Sequence, residues 1–207
     1  NEDARILLNL TSEPSNFLSF QAEEVEEGVV QVNKVLEILK NCGDEEEITL
    51  NIKSNTTQIE VENEVIETIE AEENERYFYR SINGNYETFF KISSYNVKRI
   101  LDMLKHCNEI MEFKITKDRV DVIAENEILY ARTEIMLSPY LLQQEIRNEL
   151  SVIVSLQVVA NVVDAFEDDD VIIFYFGPEH GRPQPPKVVG KIDGANLEYY
   201  IAPRLMK

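Results

Sequence analysis

Apolar and polar positions along this chain alternate between two periods, and the switches between them mark its elements. The stretch Ser93 to Glu125 reads SSYNVKRILDMLKHCNEIMEFKITKDRVDVIAE. Val97, Ile100, Leu101 and Leu104 recur at i, i+3, i+4 and i+7, which predicts one buried face of a helix. A serine at 93 or 94 supplies the hydroxyl that accepts from an orphan N–H at the helix start. Lys98, Arg99, Asp102, Lys105 and His106 lie off the buried face and should meet solvent or a partner. After Cys107 the period drops to two through Ile110–Ile115, and a Thr-Lys-Asp turn leads into Val120-Asp121-Val122. The unit is helix, strand, turn, strand.

The unit recurs. From Val32 to Val61, Val35, Ile38, Leu39 and Cys42 form a helical face. An acidic stop over residues 43–47 follows, then Ile48, Leu50 and Ile52 alternate, and Ile59 and Val61 mark a return strand. A third copy is expected from about Leu150. Val154, Val158, Val159, Val162, Val163 and Phe166 supply helical spacings, residues 167–170 are the acidic stop, and Val171 to Phe176 is the strand. The helix ends fall about 60 residues apart, a period suited to half-domains rather than to a solenoid.

Elsewhere the signals are shorter. Arg5 to Leu10 and Phe17 to Ala22 read as strands around a Pro14-Ser15-Asn16 turn. Residues 62–76 carry Val65, Ile66 and Ile69 among glutamates, which predicts a solvent-facing strand. Residues 75–86 look like a connector with a turn at Asn83-Gly84. Their aromatics Tyr77, Phe78 and Tyr79 fit either a strand with one packed face or a segment offered to a partner. Ile128 to Leu142 should be strand and loop, broken at Ser138-Pro139. Residues 178–186 should be a surface loop, since proline cannot donate to a ladder. Val188 to Ile192 and Leu197 to Ile201 predict a closing hairpin.

Composition narrows function more than fold. The chain has 207 residues, 43% hydrophobic, enough for one large or two small cores. Cys42 and Cys107 have no metal-ligand spacing, so reduced thiols in an intracellular protein are expected, without a disulfide. No run of about 18 apolar residues exists that would span a membrane. The net charge of −19 argues against a protein that coats nucleic acid. Its distribution qualifies that, because acidic runs occupy strand ends and loops while Lys34, Lys40, Lys98, Arg99 and Lys105 lie on predicted helices. Paired carboxylates among 39 Asp and Glu read as solvated faces, and 2 His leave little for acid–base work. With no phosphate loop, nucleophile elbow or metal spacing, no enzyme and no cofactor is expected.

Several segments resemble a known family. Residues Asn196 to Leu205 (NLEYYIAPRL) resemble the last strand and Ala-Pro tail of DNA sliding clamps of the proliferating cell nuclear antigen (PCNA) type. Gly28 to Leu50 is similar to that family's first-domain helix and strand, and Arg99 to His106 to its second-domain helix on the DNA side. Pro186 to Val189 resembles the strand before the tail.

The resemblance implies an α+β DNA clamp (processivity fold) of two similar domains, each of helices backed by antiparallel sheets. It implies an incomplete N-terminal domain over 1–74, a connector at 75–86 and a C-terminal domain over 87–207. On it, roughly the first forty residues of the family's pattern have no counterpart. It implies a ring, usually a trimer, of subunits joined by strand edges, encircling duplex DNA in nucleus or archaeal cytoplasm. Lys34, Lys40, Lys98, Arg99 and Lys105 would face DNA. Leu7, Tyr79, Tyr86, Pro186, Tyr200, Ile201, Ala202 and Pro203 would hold peptide motifs of polymerase, ligase, nuclease and clamp loader. Ordinary hairpin packing is the other reading of Tyr200 and Ile201. Tyr79 stands where the family has an aliphatic residue. The third helix departs from the pattern, with Gln157, Asn161 and Asp164 outward and no Lys or Arg between Arg147 and Arg182. That departure favours a checkpoint-type heterotrimeric clamp as an alternative. An acidic interaction module that does not bind DNA, or an enzyme with an unrecognised site, is the reading from another class.

Overall fold

The structure is a computed structural model. It describes residues 6–13, 15, 35, 38–43, 46–53, 56–62, 64–70, 84–106, 109–126, 131–178, 184–192 and 195–204. The expected strand at Phe17 to Ala22, the aromatic connector residues 77–79, and Cys107 lie outside these. The chain divides into two compact units, one of Asn1–Leu18 with Asn83–Lys207 and one of Ser19–Ile82.

In the larger unit, a six-stranded antiparallel sheet has the order β1-β13-β12-β11-β5-β9. Its strands are β1 (Ile6–Thr11), β5 (Thr88–Ser93), β9 (Leu141–Glu145), β11 (Val171–Phe176), β12 (Lys187–Ile192) and β13 (Ala195–Ile201). A four-stranded sheet runs β10 (Leu150–Ser155), β6 (Ile110–Thr116), β7 (Arg119–Asn126), β8 (Ala131–Met136). Phe90 on β5 stacks on Phe174 and Phe176 of β11 with centroids 5.1 and 5.7 Å apart, and Phe113 of β6 meets all three rings at 5.4 to 6.2 Å. These aromatics tie the two sheets together. Truncating one to alanine should cost about 3–5 kcal/mol.

Two helices complete this core. Helix α1 (Ser94–Leu104) buries Val97, Ile100, Leu101 and Leu104 as its spacing requires, and the Ser93 hydroxyl accepts from the Asn96 N–H. Helix α2 (Leu156–Val163) buries Leu156, Val158, Val159, Val162 and Val163. The third copy therefore begins differently from the expectation. Leu150 to Ser155 is the strand β10, paired along its length with β6, and helix starts only at Leu156. Leu150, Val152 and Val154 alternate with the exposed Ser151 and half-buried Ile153, so the period of two wins over the helical spacing that starts at Val154. Beyond the expected strand and loop, a 3-10 turn at Ser138–Tyr140 is followed by β9. The buried Thr88 hydroxyl accepts from the Arg147 and Asn148 N–H groups and anchors the loop that follows β9.

β1 pairs with β13, Leu7 opposite Tyr200, so the chain's first strand shares a sheet with its last. A linear division at residue 74 therefore differs from the division by contact. The expected surface loop at 178–186 is only partly at the surface. Pro186 is buried, and Gln184 lies so close over Gly177 that a Cβ there would sit 2.1 Å from its Oε1.

The smaller unit holds the sheet β2 (Ile48–Lys53), β3 (Thr56–Val61), β4 (Glu64–Glu70). Thr57 and Ile59 are buried, whereas Leu50, Ile52, Val65 and Ile66 are exposed. Val35, Ile38 and Leu39 are helical, and the half-buried Cys42 thiol contacts the Ile38 carbonyl. Val61 pairs with Glu64, and Glu62 adopts φ 52° where the chain reverses.

Candidate helical and tail surfaces

The outward side of α1 exposes Tyr95, Arg99 and Asp102, and the turn that ends it exposes Lys105 and His106. Lys98 is placed differently from its expected neighbours. Its ammonium donates to the Phe166 carbonyl at 2.7 Å and to Asp168 Oδ1 at 2.9 Å. The Ser94 and Tyr95 N–H groups in turn donate to the Asp170 and Asp168 carbonyls. The acidic loop after α2 thus satisfies orphan donors of α1, and Lys98 satisfies an acceptor where α2 ends. Lys105 is exposed and pairs with Asp102 at 2.7 Å, a surface pair that leaves its ammonium exchangeable. Arg99 is exposed and has no ion pair among the described residues. Lys40 is exposed in a turn of the smaller unit, and Lys34 lies outside the described residues. On α2 the outward residues are Gln157, Asn161 and Asp164, and the first two bond each other at 2.8 Å.

The tail surface forms where β13 runs between β1 and β12. Strand alternation separates two residues that were expected to act together: Tyr200 faces outward half-exposed, while Ile201 is buried in the core. Packing therefore accounts for the Ile201 side chain. Its N–H donates to the Pro186 carbonyl at 2.9 Å, and the Arg204 N–H donates to Ile153, which fixes the tail carrying exposed Ala202 and half-buried Pro203. Leu7 is placed opposite Tyr200 by register, and Tyr79 lies outside the described residues.

Beside Tyr200 stand the expected Tyr86 and three residues that the sequence reading missed, Tyr175, Lys187 and Glu198. The Tyr86 hydroxyl donates to the Pro185 carbonyl at 2.9 Å, and its ring meets Tyr175 edge-on at 6.5 Å. The Lys187 ammonium lies 5.3 and 5.0 Å from the Tyr86 and Tyr175 ring centres and 3.3 Å from Glu198 Oε1. The Tyr200 hydroxyl donates to Glu198 Oε2 at 3.0 Å. Burial first, then the neighbouring Tyr200 and Glu198, push the Tyr86 phenol up to about 12. Burial, and then Glu198, raise Tyr200 as well. Both phenols keep their protons at neutral pH. Alternation along β11, β12 and β13 was the available signal, since Tyr175, Lys187, Glu198 and Tyr200 all sit at outward positions.

Antiparallel sheets backing two helices over a shared core define the DNA-clamp fold. Solved structures of PCNA have it over nearly the whole chain. The complex described as the C-terminal region of FEN-1 bound to A. fulgidus PCNA matches with a TM-score of 0.78 at 12% identity, covering 98% of this chain and 82% of the other. PCNA from Thermococcus kodakaraensis matches with a TM-score of 0.71 at 17% identity, covering 96% and 82%. No protein-family model and no curated protein sequence matches the chain. The chain thus has a PCNA-type clamp fold.

Proposed function

We propose that this chain is a subunit of a DNA sliding clamp, a non-enzymatic ring that encircles duplex DNA and tethers polymerases, ligases and nucleases through short peptide segments. The observation that carries this reading is the clamp fold over 98% of the chain. Sliding requires contacts to phosphates that ignore base identity, and Arg99 on α1 and Lys105 at its C-cap, both exposed, are side chains of that kind. Ring closure requires unsatisfied strand edges. Among the described residues β8 ends one sheet beside exposed Met136, and β4 ends another beside exposed Val65 and Ile66. The tail surface around Tyr200 supplies the peptide site, by analogy with the FEN-1 segment bound to an archaeal PCNA.

Retention on DNA is the decisive test. A clamp loaded on a nicked circular plasmid should stay bound until the plasmid is linearised, and light scattering should give a multiple of the 23.9 kDa chain mass. Equal release from circle and line would end the reading. The outward side of α2, with Gln157, Asn161 and Asp164 and no cation, favours a second reading, a heteromeric checkpoint-type ring. In that case the chain alone stays monomeric and is retained on circles only with other kinds of subunit.

A further inference from the structure

Hydrogen-bond polarity at the tail surface restricts which partner the peptide site accepts. Each phenol has one proton to give. Tyr200 gives its proton to Glu198 Oε2, and Tyr86 gives its proton to the Pro185 carbonyl. The neighbouring backbone adds no donor at three points: Pro186 and Pro203 have no N–H, and the Ile201 N–H is taken by the Pro186 carbonyl. The nearby cation is already engaged, since Lys187 sits against two rings and Glu198 with its side chain only 19% exposed. What the two hydroxyl oxygens still offer is lone pairs.

We propose that Glu198 is a positioning residue for partner choice: by fixing the Tyr200 hydroxyl as an acceptor, it makes this site select peptides that place an N–H donor against it and reject those that place a carboxylate there. The proposal rests on the tail surface being the peptide site. A carboxylate brought against a committed phenol oxygen meets lone pairs with lone pairs and loses its own hydration, whereas an amide of the same shape donates. Lys187 offers the carboxylate little, because its side chain is only 19% exposed and already pairs with Glu198.

The test uses the full chain and a series of Gln-x-x-Leu-x-x-Phe-Phe peptides in which one polar position at a time is Gln or Glu. At one position the Gln form should bind wild type about tenfold or more tightly than the Glu form. E198L, which lets the Tyr200 hydroxyl turn and donate, should close that gap to within about twofold. E198Q, whose amide oxygen still accepts from Tyr200, should keep it. Bulk repulsion by the acidic chain predicts instead that E198L and E198Q shrink the gap alike, and that result overturns the proposal, as does a wild type that discriminates at no position. If no peptide of the series binds, the peptide-site reading fails and the proposal falls with it. If peptides bind without discrimination, only the proposal falls.

Discussion

Helices α1 and α2 do the same work on their buried sides and opposite work on their exposed ones. α1 sets four apolar residues and α2 five into one core. Outward on α1 and in the turn that ends it stand Arg99, Lys105 and His106, with Asp102 among them. In α2, shorter by three residues (11 against 8), they carry Gln157, Asn161 and then Asp164 at the end. Burial constrains a helix on one stripe only, so the outward stripe is free to differ. Of the two helices, only α1 then carries outward cations, and α2 cannot hold a phosphate by charge. Between the two, Lys98 counts toward neither surface, because its charge is consumed where α2 ends.

The largest expected effect comes from removing the asymmetry at its source. R99E with K105E should lower retention on circular DNA about tenfold or more, since each reversal replaces a phosphate attraction with a repulsion. Thermal stability should hardly move, because both side chains are exposed. Comparable losses in the two measurements would mean that α1 packs against something rather than facing DNA.

K98A should invert that pattern. It removes a hydrogen bond to the Phe166 carbonyl and a half-buried ion pair with Asp168, and should cost about 1–2 kcal/mol in denaturant unfolding. DNA retention by the folded ring should be nearly unchanged. If K98A behaves like R99E, the contact to the acidic loop is not what Lys98 is for.

The comparison can also be erased by gain. N161K with D164K would give α2 the charge that α1 has. Retention should rise a few-fold at low salt, and the slope of log affinity against log salt should steepen by about two. An unchanged slope would place the outward side of α2 away from the duplex.

Much of this was legible in the residues, and unevenly. The buried stripe of α1 and its Ser93 cap follow directly from spacing and hydroxyl chemistry. The start of α2 did not, because Val154 satisfies both a helical and an alternating pattern, and only pairing of β10 with β6 decides between them. The fate of Lys98 was hidden for another reason. It depends on a loop 70 residues away, and helical position alone cannot tell a solvated lysine from one bonded to a distant carbonyl. The tail surface was half legible. Tyr86 and Tyr200 were named from a resemblance, but alternation would have moved Ile201 inward and brought Lys187 and Glu198 in.

The smallest effect tests the neutral helix itself. Gln157 donates to Asn161 one turn on at 2.8 Å, both side chains exposed. Such an i, i+4 amide pair stabilises a helix by about 0.2–0.5 kcal/mol. Q157A should lower stability by no more than that, and alanine's better helix propensity offsets part of the loss. Neither partner carries charge, so Q157A should leave DNA retention and its salt slope where they were. A drop in retention without a change in slope would mean that the amide reaches a phosphate as a neutral donor. The two helices would then differ in the kind of contact they make with DNA, and the claim that only α1 makes one would be wrong.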